Sequence, residues 1–303
     1  MTKAKRVSIP EIEQFFFKNT NILTIIGQDY KGEDEERNGL IYKLSQNNKN
    51  LNLVTIHENK DSTYSMVTTL SKRENTNNIP WYSIKEVLSE VLSEVKMKTI
   101  LIDITDLDLE ILIYIIPLVL DYKIFVTYIL PENYSSENFT ITPKGIHQPR
   151  GYTLIPTKQL IASSHIIILG FDELRAHKFI KQYDWSIDKL KLISIKDKVE
   201  NCEFRINRAN YFLDEKVSNC QLKEINLLNY NEIIEIIEKE LKENDYVDII
   251  PLGPKPILFH ILLYYFLNYE TLKDRIKFLY DFPNKSKNRT HGIKEICFLE
   301  TTF

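Results

Sequence analysis

Apolar residues fall along this chain in two alternating rhythms. Short continuous runs at 21–26 (NILTII), 51–56 (LNLVTI), 99–104 (TILIDI) and 123–130 (KIFVTYIL) read as strands buried on both faces. Between them the period changes to that of a helix. In 84–95, Ile84, Val87, Leu88, Val91, Leu92 and Val95 share one face, and 109–120 is apolar nearly all round. A helical prelude covers 9–18, with Pro10 suited to a first turn, and another helix runs through Leu40, Ile41 and Leu44. Polar residues 59–78 read as a loop or hairpin excursion. Strand alternating with helix predicts a parallel sheet with covering helices.

Residues 132–150, rich in Ser, Asn, Pro and Gly, are the best candidate boundary. A second series follows: strand-like GYTLIP at 151–156, a strand at 165–169 (HIIIL), a helix over 173–183 and a strand at 190–195. After 196–223, which fits no element, come a helix (224–241), a strand (246–250), a helix (257–267), a strand (275–280) and a last edge strand (295–299). The expected fold class is α/β, with two tandem Rossmann-like units, 1–145 and 146–303, each built on a mainly parallel sheet.

The two series also match each other. NILTIIGQD (21–29) lies over SHIIILGFD (164–172), pairing Gly27 with Gly170 and Asp29 with Asp172; KIFVTYILP (123–131) lies over RIKFLYDFP (275–283), pairing Tyr128 with Tyr280 and Pro131 with Pro283. Between them Asp103-Ile104-Thr105 falls over Pro251-Leu252-Gly253. Same order and similar spacing predict an internal duplication, although apolar strands match cheaply. Equivalent strand ends could then line one pseudo-two-fold site, with Gly27, Gln28, Thr105, Gly170, Phe171, Gly253 and Lys255.

The strongest single signal is Pro251-Leu252-Gly253-Pro254-Lys255-Pro256, a stiffened loop between a buried strand and an apolar helix. An open α/β sheet keeps its ligand crevice outside the carboxyl ends of strands, and a helix N-terminus favours anions, so Lys255 there points to phosphate. A turn that only ends a strand explains the same prolines. Asp103 and Thr105 could meet a ribose or base edge; alternatively Thr105 or Asp106 caps a helix. Phe171 could seat a base and Arg175 a phosphate; alternatively Phe171 is core and Arg175 pairs with Asp172 or Glu173. Neither GxGxxG nor GxxxxGK[ST] is present, and no cofactor is expected.

Charge narrows the partners. A formal net charge of −3 over 303 residues argues against general DNA or RNA binding. The greasiest segments are too short to span a membrane, and no secretory signal opens the chain. Three cysteines without metal spacing read as reduced thiols of a cytoplasmic protein. The six histidines show no HExxH pattern, so no metal is expected, and no nucleophile motif appears. His57-Glu58, at a strand end, is the candidate acid/base pair.

PLGPKP with its apolar helix (251–267), DIT with its helix (103–120) and the tandem arrangement together resemble the CARF and SAVED group of sensor domains. That resemblance implies Rossmann-like units that bind cyclic oligonucleotides in bacterial antiviral defence. Such sensors usually carry a fused effector, which this chain is not expected to contain, so the effector would be a separate protein. The leading expectation is therefore a nucleotide or oligonucleotide sensor or regulatory subunit without catalysis. The alternatives are a hydrolase or transferase acting on a nucleotide or sugar-phosphate in the same crevice, and a non-catalytic interaction scaffold.

Overall fold

The computed structural model describes residues 2–27, 37, 39–47, 52–59, 63–70, 73–95, 97–134, 145–151, 163–170, 173–183, 185, 189–196, 221–282 and 290–301. The chain forms two compact units, Met1–Glu132 with Thr290–Phe303, and Asn133–Arg289. A single boundary at 145/146 was expected. The chain instead returns to its first unit, because its last strand completes that unit's sheet.

The first unit contains β1 (Thr2–Val7), α1 (Ile9–Lys18), β2 (Leu23–Gly27), α2 (Leu40–Gln46), β3 (Asn52–Glu58), β4 (Thr63–Leu70), β5 (Arg73–Pro80), α3 (Ile84–Glu94), β6 (Thr99–Asp103), α4 (Leu109–Val119) and β7 (Lys123–Leu130). The second contains β8 (Asn133–Tyr134), β9 (Ser163–Ile168), α5 (Glu173–Tyr183), β10 (Leu190–Ile195), β11 (Gln221–Ile225), α6 (Tyr230–Glu243), β12 (Tyr246–Pro251), α7 (Lys255–Leu267), α8 (Tyr269–Leu272) and β13 (Ile276–Phe278). Two strands, β14 (Thr290–His291) and β15 (Glu295–Thr301), then rejoin the first unit.

The first sheet has eight strands in the order β1-β15-β7-β6-β2-β3-β4-β5. Its centre, β7-β6-β2-β3, is parallel. The flanks are antiparallel, so the sheet is mixed and not mainly parallel. Two features cause this. The segment read as a loop or hairpin is the β4-β5 hairpin, where alternate β4 residues are buried, as one covered face requires. On the other flank, β15 lies between β1 and β7 and not at an edge, since Ile296, Cys297, Phe298 and Leu299 are all buried. On one face, Ile12 and Phe16 of α1 and Ile41 and Leu44 of α2 pack with Ile26, Leu53, Leu101 and Phe125. Ser8 starts α1, its N–H and hydroxyl both donating to Glu11 Oε2, at 2.8 and 2.9 Å.

The second sheet has five strands, all parallel, in the order β11-β10-β9-β12-β13. Counted within the unit from β9, that order is 3-2-1-4-5, the first five positions of the Rossmann order. Ala176 and Phe179 of α5 pack with Ile167, Leu169, Leu192, Ile250 and Leu252, while α6 packs against α7. Of the expected elements, the strand-like 152–156 lies outside the described residues, as does most of the unassigned stretch, from which β11 emerges.

Candidate functional site

Strand order fixes where a site belongs. In the second sheet β9 is central, and the chain moves outward first through β10 and then, on the other side, through β12. The carboxyl ends of β9 and β12 therefore flank the switch point, where connections leave in opposite directions and sheets of this kind place their ligands. Gly170 follows β9 and Gly253 follows β12. The two loops touch: a Cβ on Gly170 would run into the Leu252 carbonyl oxygen, and one on Gly253 would lie 2.6 Å from Ile168 Cγ2 and 3.0 Å from Leu169 O. Gly170 needs to be glycine because backbone approaches backbone there, and at Gly253 the Ile168 side chain leaves no room for a Cβ. Immediately beyond, Pro254 is the N-cap of α7 and Lys255 its first residue. Proline offers no side-chain acceptor to the first-turn N–H groups, and no acidic residue occupies that turn.

Arg175 lies in the first turn of α5, so it too stands at the carboxyl end of β9. Asp172 and the Glu173 side chain, the partners expected from sequence, lie outside what the structure describes; the described ion pair of Arg175 is with Asp281. Nε and Nη2 donate to Asp281 Oδ2 and Oδ1 at 2.8 and 2.6 Å, a bidentate pair joining α5 to the segment after β13. The guanidinium also lies over the Tyr280 ring, 5.4 Å from its centroid. Burial opposes the charge, but Tyr280 and Asp281 outweigh it and hold Arg175 above its ordinary pKa. It is a fixed cation. Next to it, Tyr280 meets Phe282 edge-on at 5.1 Å, and Phe282 stacks on His147 at 4.2 Å and 9°. None of Asp281, Phe282 or His147 was picked out as a site residue. Phe282 sits in an Asp-Phe-Pro strand ending, and His147 in a stretch whose Pro and Gly content reads as a boundary.

The first unit has a related arrangement. A Cβ on Gly27, at the end of β2, would approach the backbone of Asp106 and Leu107, just after β6, to 2.7 Å. Asp103 and Thr105 are both buried here. Asp103 Oδ1 accepts from the Thr105 hydroxyl (2.7 Å), the Thr105 N–H (3.3 Å) and the Thr127 hydroxyl (3.1 Å), and Thr105 Oγ1 accepts from Ile129 N–H at 3.1 Å. These atoms tie β6 to β7. Burial pushes the Asp103 carboxyl up to about 6, with nearby Asp106 adding to the effect, although the bonds from Thr105 and Thr127 oppose it. The N-cap position of helix α4 is Asp108, not Thr105 or Asp106. Arg37, unnoticed in the sequence, is buried over the Tyr128 ring at 5.4 Å and donates to Ile129 O at 2.7 Å.

Of the nine sequence-predicted site residues, Gln28 and Phe171 lie outside the described residues. Gly170, Gly253, Lys255 and Arg175 gather at the carboxyl end of the second sheet; Gly27, Asp103 and Thr105 gather at the equivalent end of the first sheet's parallel centre. His57 and Glu58 end β3, half-buried. Among the described residues no three His, Cys, Asp or Glu side chains cluster as metal ligands, and no helix is long and apolar enough to cross a membrane. The sequence matches no protein-family model, and no curated protein matches it.

Proposed function

We propose that this protein is a nucleotide-binding sensor or regulatory subunit, of the kind its resemblance to CARF and SAVED domains implies. In this reading a nucleotide or oligonucleotide phosphate lies at the β9/β12 switch point, against the Gly170 and Gly253 backbones, with Lys255 and the first turn of α7 facing it. The observation that carries the reading is the contact between the Gly170 and Gly253 loops in an all-parallel sheet of order 3-2-1-4-5. Backbone held that close leaves N–H groups able to approach an anion where side chains would block it. A separate effector chain would receive the signal.

The duplication belongs to the same proposal. Three observations support it. The neighbour order β3-β2-β6-β7 repeats as β10-β9-β12-β13. A glycine closes the end of the central strand against the loop after the next crossover in both units. In both, an arginine after that glycine lies over the tyrosine at the end of the fourth of these strands, Arg37 over Tyr128 and Arg175 over Tyr280. Two such units would give one protein two related crevices that have diverged, one basic and one built on buried Asp103.

The test is calorimetric titration of mononucleotides and of linear and cyclic oligoadenylates into the wild-type protein and Lys255→Ala. A charge-assisted phosphate contact predicts affinity reduced roughly tenfold or more in the variant. Unchanged affinity in a folded Lys255→Ala protein removes Lys255 from the site. Turnover of any ligand in the panel would replace the sensor reading with an enzymatic one.

A further inference from the structure

The loop contact above accounts for a phosphate but leaves the base of a nucleotide without a surface. Resting on the nucleotide reading, we propose that His147, backed by Phe282, is the platform on which the base stacks. The pair does not behave as core. His147 is exposed and Phe282 half-buried, yet their rings lie flat on each other at 4.2 Å and 9°. One imidazole face is covered by Phe282, and the residue as a whole remains exposed.

The platform is held from two sides. His147 and Tyr280 exchange backbone hydrogen bonds, His147 N–H to Tyr280 O at 3.0 Å and Tyr280 N–H to His147 O at 3.1 Å. Asp281, between Tyr280 and Phe282, is fixed by its two bonds from Arg175. Phe282 itself has φ 44°, the one positive φ of a non-glycine residue among the described residues, so its ring is kept in place against a backbone preference. The His147 ring is oriented as well. Nδ1 lies 2.8 Å from Gln148 O, and because a carbonyl only accepts, Nδ1 carries the hydrogen.

Position completes the argument. Arg175 begins the helix after β9, and Asp281 and Phe282 follow β13, so the platform stands at the same end of the sheet as Gly170 and Gly253. In the strand order β12 lies between β9 and β13, so the Arg175–Asp281 pair reaches across the end of the strand that leads to Lys255. Stacked rings at the same end of the sheet as the proposed phosphate site suit a ligand that joins a flat heterocycle to phosphate.

The probes are AMP, cyclic triadenylate, ribose 5-phosphate and the fluorescent ribotide of 2-aminopurine. His147→Ala should weaken both adenylates by about tenfold and leave ribose 5-phosphate within about twofold, as loss of one base stack requires. His147→Phe, which keeps a flat ring, should restore adenylate binding. Bound 2-aminopurine ribotide should be quenched by the wild type and unquenched by saturated His147→Ala, a change that a merely structural role would not produce. Adenylate affinity and quenching unchanged in His147→Ala, with both lost in Lys255→Ala, would overturn the platform and leave the phosphate site standing. Failure of the wild type to bind any adenylate would overturn both.

Discussion

His260 lies on α7, a helix with few exposed positions, and neither ring nitrogen has a hydrogen-bond partner among the described residues. The nearest ring is Tyr230, edge-on at 5.2 Å. Burial drives its pKa down to about 3, so the folded protein holds it neutral. An unfolded chain binds a proton at His260 below about pH 6.5, whereas the folded chain waits until about 3. Unfolding therefore takes up a proton in that window, and stability is lost as pH falls through it, by on the order of 2 kcal/mol between pH 7 and 5. His260→Phe should abolish this loss, visible as a melting temperature that drops less at pH 5. Asp103 works in the opposite direction. Its folded pKa is about 6 against 3.8 for an ordinary aspartate, so acidification from pH 6 to 4 favours the folded state. Comparing His260→Phe with the wild type at each pH separates the two, because Asp103 is present in both. Neither role is written in the sequence: His260 reads as one polar residue in an apolar helix, and Asp103 as a strand-end group that could meet a ribose or base edge. What decides them is burial by distant elements.

At the scale of elements, what proved readable was periodic. Continuous apolar runs gave β9, β10, β12 and β13 of the second sheet but not β11, and Gly27, Gly170, Tyr128 and Tyr280 fall at strand ends that carry the glycine contacts and the Arg-over-Tyr pairs. What could not be read was the partner of each charge. Arg175 takes as its bidentate partner Asp281, 106 residues away, because α5 begins where β13 ends in space and not in the chain. That pair is buried, so removing one member leaves the other charged and unmatched. Asp281→Ala is expected to cost about 3 to 5 kcal/mol in urea unfolding, whereas the double variant Arg175→Met with Asp281→Leu should recover most of that loss. If the double variant is no better than the single one, the pair matters through its geometry and not through charge balance.

At the scale of the whole molecule, the sequence supplied two α/β units but placed their boundary once, where the fold needs two crossings. The missing information was β15. An apolar strand of seven residues carries no mark of the neighbours it will choose, and β15 takes two, β1 and β7. Removing Glu295–Thr301 should leave the second unit cooperatively folded and protease-resistant. The first unit should become susceptible, since β1 loses its one partner in the sheet and β7 becomes an open edge.

That insertion also orders events in time. A ribosome delivers β1 first and β15 only after every strand of the second unit, so the first unit waits with a strand-wide gap beside β7 while the later unit is made. Contacts between Thr2 and Thr301 are among the most distant the chain can form, and their closure comes late. The first unit is thus finished after the second, and until β15 arrives β7 presents an unpaired edge of the kind that invites wrong pairing.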